Sequence, residues 1–411
     1  MLFRIGAVFM AVVFVLAWAD PSDARKKRKR NFNRALERHI KICQNYKARP
    51  ERRVKSCTYL IRLNRFDDDS MALVLTARGN AYDDRGEHER AIDDYSAAIR
   101  LNPRHVNALF NRGYVYAKSA DKLLLALKDF SAAIRLDPND AAAFLSRGNV
   151  FARLEQWDRA ISDYEVALRL DGDSSAAYYS RGRALERKGE IKRAIEDYTA
   201  ALERNPYSSA VLNSRGLAHI KLKEFDKAIE DFDLAIHLKP KAAILYYGRG
   251  LAYNGKGRHK WAIEDFNEAI PLDPKNPRAF FARGEAYAGL GQFERAIEDF
   301  DAALRLDPKY AEALNGRAIA NNRRGQYDRA IQDFTAAIDL QPDKAAYFFG
   351  RGFAYGKKGN YARAIADYSQ AIKIDPSHVP SYKYRGRANF FLARFADAVP
   401  DLKRSARAVP K

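Results

Sequence analysis

The chain has 411 residues, 47% of them hydrophobic and 30% charged, with a formal net charge of +20. That length exceeds one compact core, and the balance excludes both a disordered chain and a multispan membrane protein. Two cysteines exclude a disulfide-dense scaffold and a four-cysteine zinc site, and the positive excess favours anionic company without specifying a fold.

The N-terminus comes first in chain order. Residues 1–4 make a short basic start, Ile5 to Trp18 is an apolar run, and Ala17-Trp18-Ala19 is a small-x-small cleavage site. This layout is that of a secretory signal peptide over 1–19, cleaved after Ala19, and predicts a periplasmic or secreted protein. The run is short for a membrane span, which needs about 20 residues. The unbroken basic run Arg25 to Arg30 lies in the segment 20–30. Such charge resists translocation, so an uncleaved membrane anchor is the alternative. The segment itself reads as a solvated basic linker, or as a polyanion-binding tail.

From Ala72 onward the chain repeats. Arg-Gly recurs at Arg78-Gly79, Arg112-Gly113, Arg147-Gly148, Arg181-Gly182, Arg215-Gly216, Arg249-Gly250, Arg283-Gly284, Arg351-Gly352 and Arg385-Gly386, and Arg317-Ala318 fills the remaining slot. The step from Arg78 to Arg112 is kept throughout, except that the step from Arg112 to Arg147 is longer by one position. Ten units therefore span 72–411, and a period of this size means a solenoid. In the first unit, Leu75, Gly79 and Tyr82 share a helical face, Gly86 can close that helix, and Ala91, Ile92, Tyr95, Ala98 and Ile99 form the stripe of a second helix ending near Pro103. Each unit is thus a helical hairpin.

These residues carry a family resemblance. Gly79, Tyr82, Ala91, Tyr95, Ala98 and Pro103 stand at positions 8, 11, 20, 24, 27 and 32 of the unit, and the chain resembles the tetratricopeptide repeat, whose period is about 34 residues. Position 20 is Ala in all ten units, from Ala91 to Ala398, and position 24 is aromatic in nine, with Leu402 in the last. The Arg-Gly-x-Ala-Tyr form is similar to that of exported bacterial members. The resemblance implies an all-α fold, an α-solenoid winding as a right-handed superhelix. Departures are local. The second unit has an extra residue between Lys118 and Leu123, and position 11 is Phe151, Leu185, His219, Asn321 or Asn389 in five units. Pro400 should kink or fray the last helix.

Residues 31–71 align as a degenerate helical cap. Val54 to Asn64 matches Ile92 to Asn102, which puts Cys57 at the aromatic position, and Ala35 to Tyr46 supplies the partner helix with Cys43. In an oxidising compartment a Cys43–Cys57 disulfide is expected; two buried free thiols are the alternative.

No catalytic constellation is present in the sequence. The seven histidines are dispersed without metal-ligand spacing, and there is neither a nucleophile elbow nor a phosphate loop. The reading is therefore a non-enzyme without cofactor. Acidic pairs such as Glu264-Asp265 recur at a fixed repeat position. An aspartate at that position in every unit, Asp94 through Asp401, follows the repeat arginine at a near-constant offset, as Asp94 follows Arg78 and Asp299 follows Arg283. That offset crosses the hairpin and predicts a ladder of Arg–Asp pairs.

Binding is the remaining route. In the family the first helix of each unit lines a concave groove through positions 2, 5, 9, 12 and 13. Carried over residue by residue, these give the rings Phe110, Tyr114, Tyr179, Tyr247, Phe281, Phe349 and Phe353 and the cations Arg183, Arg187 and Arg387. Rings with few rotamers suit peptide capture, although each could equally pack between adjacent helices. The groove positions hold ten basic and five acidic residues, which favours an acidic or mixed peptide. Asn80 and Asn111 match a chaperone-tail clamp, but Thr76, Ala142 and Ser146 do not supply its cations. The expectation is a protein-binding scaffold of the cell envelope. The other reading, a polyanion binder, rests on residues 1–30 and 31–70, which carry net charges of +5 each, against +10 over the ten units.

Overall fold

The computed structural model describes residues 23–407; the segment read as a signal peptide lies outside them. Among the described residues there are twenty-two helices and no strand, and no helix is long and apolar enough to cross a membrane. The chain divides into two compact units between Asn205 and Pro206.

The first unit holds α1 (Asp23–Gln44) and α2 (Pro50–Leu63), then four hairpins: α3 and α4 (Asp68–Asp84, His88–Leu101), α5 and α6 (Val106–Tyr116, Leu123–Leu136), α7 and α8 (Ala141–Arg153, Trp157–Leu170), α9 and α10 (Ser175–Arg187, Ile191–Arg204). The second holds six: α11 and α12 (Ser209–Lys221, Phe225–Leu238), α13 and α14 (Ala243–Gly255, His259–Leu272), α15 and α16 (Pro277–Gly289, Phe293–Leu306), α17 and α18 (Ala311–Arg323, Tyr327–Leu340), α19 and α20 (Ala345–Lys357, Tyr361–Ile374), α21 and α22 (Val379–Phe391, Phe395–Arg407). Each unit is an α-solenoid of stacked hairpins.

Local chemistry sets the hairpins. Asp67 caps α3 by accepting from the Ser70 amide at 2.7 Å, and Asp140 caps α7 through the Ala142 and Ala143 amides. Gly86 ends α3 at φ +75°, while the Glu87 amide returns to the Tyr82 carbonyl. In three hairpins Glu155, Lys223 and Ala393 take the same left-handed conformation without glycine, at a cost of about 1 kcal/mol each.

In nine of the ten repeat hairpins the core is one ring. Tyr95, Phe130, Tyr164, Tyr198, Phe232, Phe266, Phe300, Phe334 and Tyr368 are almost fully buried. The glycine after the repeat arginine admits that ring: a Cβ on Gly79 would lie 2.6 Å from Tyr95, and one on Gly284 would lie 2.8 Å from Phe300. The ring also touches the next hairpin. Phe232, Phe300 and Phe334 meet Gly248, Gly316 and Gly350 there, whereas the Tyr164 hydroxyl donates to Asn149 Oδ1 of its own hairpin at 2.8 Å.

The predicted ladder forms in all ten repeats, within each hairpin. The Arg283 Nε and one terminal nitrogen donate to the two Asp299 oxygens at 2.8 and 2.7 Å. The same fork joins Arg78 to Asp94, Arg147 to Asp163 and Arg385 to Asp401. The third arm crosses to the preceding hairpin. From Arg78 it reaches Thr58, from Arg112 Ser96, from Arg283 Asn267, from Arg351 Thr335 and from Arg385 Ser369. Burial pushes the Asp94 and Asp265 carboxyls up while their arginines pull them back, and the same hydrogen bonds raise Arg78 and Arg249. The two directions oppose one another. The bidentate geometry decides for a charged pair at neutral pH, one whose desolvation offsets much of its attraction.

Three expectations are refined. The basic run read as a linker lies within α1, which begins at Asp23. The extra residue of the second repeat shortens α5 to 11 residues, against 13 in α7. Pro400 does not break α22, which runs through it. The cap pairs α1 with α2, and the Cys43–Cys57 disulfide is formed, both residues being at most 1% exposed.

Replacing Asp299 with Asn should cost about 3 kcal/mol, because it leaves Arg283 uncompensated, read as a lower denaturation midpoint for the transition reported by neighbouring amides. Native protein should take up no thiol-alkylating reagent by intact mass until a reductant is added. Two alkylated thiols without reductant would place both cysteines in the free state.

Candidate binding groove

Adjacent first helices approach one another inside each unit, as α11 does with α13 and α19 with α21, and successive second helices make no comparable approach. The first helices therefore form the inner face of each stack. Phe110, Tyr114 and Tyr179 stand on first helices of the first unit; Tyr247, Phe281, Phe349 and Phe353 stand on first helices of the second. All seven are half-buried.

Both alternatives for the rings meet in one geometry. Each position-5 ring leans on the core ring of its own hairpin: Phe110 on Phe130 at 5.5 Å, Tyr179 on Tyr198 at 5.9 Å, Tyr247 on Phe266 at 6.0 Å, Phe281 on Phe300 at 5.8 Å and Phe349 on Tyr368 at 5.9 Å. Each ring is thus held by packing yet remains partly exposed. The densest group is in the second unit, where Tyr384 lies 5.6 Å from both Phe349 and Phe353. Arg387 stacks on Tyr384 at 5.8 Å and Lys357 on Phe353 at 5.5 Å. Tyr310 lies against Phe281 at 5.0 Å. Burial pushes its hydroxyl up to about 12, so it is a neutral hydrogen-bond donor at neutral pH.

The exposed cations are Arg183, Arg187 and Arg387. Arg183 covers Tyr179 at 5.8 Å and Arg187 covers Trp157 at 5.9 Å. Charge counted along the groove overstates what is presented. Asp83 is buried, accepts from Lys118 at 2.6 Å and is bonded to His88 at 2.8 Å, so one acid and one base cancel. Tyr384 is the residue that the family's groove positions miss. It stands at position 6, where Gly248, Gly316 and Gly350 stand in other repeats, and an aromatic among glycines is a signal readable in the sequence.

Asn80 and Asn111 are not a clamp. Both are buried, and the Asn80 Oδ1 accepts from the Tyr95 hydroxyl at 2.7 Å and from the Asn111 amide at 2.8 Å. Histidines have local partners: Ser56 for His39, Thr76 for His105, Glu224 for His219, Asn254 for His259 and Ser381 for His378. Among the described residues no cluster of histidine, cysteine or carboxylate side chains could hold a metal ion.

Replacing Asn80 with Ala should destabilise the first unit by about 1–3 kcal/mol, since Tyr95 and Asn111 both lose their acceptor. The Tyr95→Phe and Asn80→Ala changes together should cost less than the sum of the two, which a double-mutant cycle in denaturant measures.

Known proteins resemble the chain at the level of the repeat. Tetratricopeptide repeat models match residues 119–175, 145–209, 179–243, 281–345 and 345–378, and a TPR repeat model matches 79–119 and 252–291. No curated protein matches the chain. Among solved structures, a tetratricopeptide repeat protein from Parabacteroides merdae is 22% identical with a TM-score of 0.50, covering 61% of this chain and 98% of its own. YrrB, described as a TPR protein with an unusual peptide-binding site, is 27% identical with a TM-score of 0.39, covering 46% of this chain and 96% of its own. Yeast Tom70 is 16% identical with a TM-score of 0.45, covering 93% of each. With repeat matches over more than half of its length and hairpins stacked as described, this chain belongs to the tetratricopeptide repeat family.

Proposed function

We propose that this protein is a non-catalytic scaffold that captures an extended peptide segment, acidic or mixed in charge, on the inner face of its first helices. Tetratricopeptide repeat proteins are generally interaction scaffolds. The observation that carries the reading here is the group Phe349, Phe353 and Tyr384 with Lys357 and Arg387. It combines half-buried rings, held by packing, with cations stacked on them. Rings already fixed lose little entropy on binding, and stacked cations meet a carboxylate without a search through rotamers. The buried Cys43–Cys57 disulfide favours an oxidising compartment, and we place the protein in the cell envelope, periplasmic or secreted.

In the other reading, anionic polymers bind the basic N-terminal segment. The two separate by salt. Native protein would be cross-linked in its compartment, partners identified, and affinity measured for the full chain and for Phe353→Ala and Arg387→Glu. Groove capture predicts a loss of about tenfold or more for each variant and a shallow salt dependence. Unchanged affinity in both variants, with a steep fall between low and high salt, would overturn the groove and assign binding to the basic segment.

A further inference from the structure

At position 11 the first and third repeats place an aromatic ring within reach of both the ladder arginine and a second arginine at position 19. Tyr82 lies 5.7 Å from the Arg78 guanidinium and 5.6 Å from that of Arg90. Phe151 lies 5.9 Å from Arg147 and 5.7 Å from Arg159. Tyr287 and Tyr355 are covered by Arg295 and Arg363, each at 5.6 Å.

The eighth repeat keeps both arginines, Arg317 and Arg329, and lacks the ring. Asn321 takes its place, and a cavity opens there between α16, α17 and α18, bordered by Ile297, Asp301, Gln332 and Asp333 as well as the two arginines. Asn321 lines it, is only 2% exposed, and its Oδ1 accepts no hydrogen bond. A buried acceptor without a donor costs about 1–3 kcal/mol, and nothing within the protein offsets it. Elsewhere the slot closes without a ring. Leu185 fills it as a buried apolar side chain, and His219 is bonded to Glu224 at 2.6 Å.

We propose that the eighth-repeat cavity is a binding site for a phenolic ring, the tyrosine side chain of a peptide, stacked between Arg317 and Arg329 with its hydroxyl donating to Asn321 Oδ1. The chemistry selects this ligand. Two guanidinium faces attract a π system, an orphan acceptor requires a donor, and a phenol brings both. An anion fits poorly. Arg317 is already engaged by Asp333 and Asp301, and those two carboxylates would face the incoming charge. The site lies apart from the inner face of the first helices and stands or falls independently of groove capture.

The test uses the full chain and amide-resolved NMR titration with N-acetyltyrosinamide, with p-cresol, N-acetylleucinamide and inorganic phosphate as further arms. Saturable shifts centred on Asn321 and Arg329 with N-acetyltyrosinamide, and none with the leucine analogue, are expected. Stronger binding of p-cresol than of the tyrosine amide would overturn the peptide assignment in favour of a free phenol. Shifts with phosphate at the same amides would overturn it in favour of an anion. Asn321→Tyr supplies the ring from within and should abolish the shifts while raising the thermal midpoint. Arg329→Gln, an exposed change that leaves the fold intact, should weaken binding about 2–5-fold by removing one face of the stack. Undiminished binding in Arg329→Gln, or no shift in the unmodified protein, would sink the proposal.

Discussion

Each repeat turns on one guanidinium fork. Two of its nitrogens hold an aspartate across the hairpin, and in most repeats the third reaches a polar side chain of the hairpin before it. An arginine can do this because its donors are planar and rigid; a lysine, one point charge on a flexible stem, cannot hold two partners in fixed directions. The pair is partly buried, and its desolvation offsets much of its attraction. Its contribution is to register: it fixes how far one helix slides along the other and how one hairpin seats on the next. The glycine after the arginine then opens the space for the core ring, so two adjacent residues set both polar alignment and apolar contact.

The proposed binding face is an outcome of that same alignment. Since the core ring sits at a fixed depth, the position-5 ring leaning on it is held half-buried. The second unit concentrates such rings where Tyr384 replaces a glycine and bridges Phe349 and Phe353. The proposed face is made by packing constraints that leave rings rigid, with cations stacked over them. It needs no catalytic group.

Irregularities show what regularity conceals. Leu185 and His219 each replace the position-11 ring with a local repair, and Asn321 replaces it without one. A repeat protein gives an internal control for every position, and an unrepaired exception stands out against its related environments. The exposed acids paired with Lys122 and Lys188 are of the opposite kind: solvated pairs with little energetic weight.

Much of this was legible in the sequence, because one constant period, the step from Arg78 to Arg112, imposes one hairpin geometry on every unit. Gly79 and Tyr95 name their own contact, the near-constant spacing from repeat arginine to aspartate names the ladder, and Cys57 in an aromatic slot points to Cys43. Local rules suffice there, since the partners are set by helical phase and a short turn. Other features needed the packed structure. Whether Phe281 is core or surface, whether Asp83 offers its charge or neutralises it on Lys118, and whether Asn80 faces a ligand or Asn111 all depend on side chains from a neighbouring hairpin. So does the cavity at Asn321, which exists only because Arg317, Arg329 and α16 surround a space that one missing ring would fill. Period and spacing determine which elements form and how they pair; the burial and exposure of an individual side chain are decided by the sum of contacts around it, and that sum exists only once the hairpins are stacked.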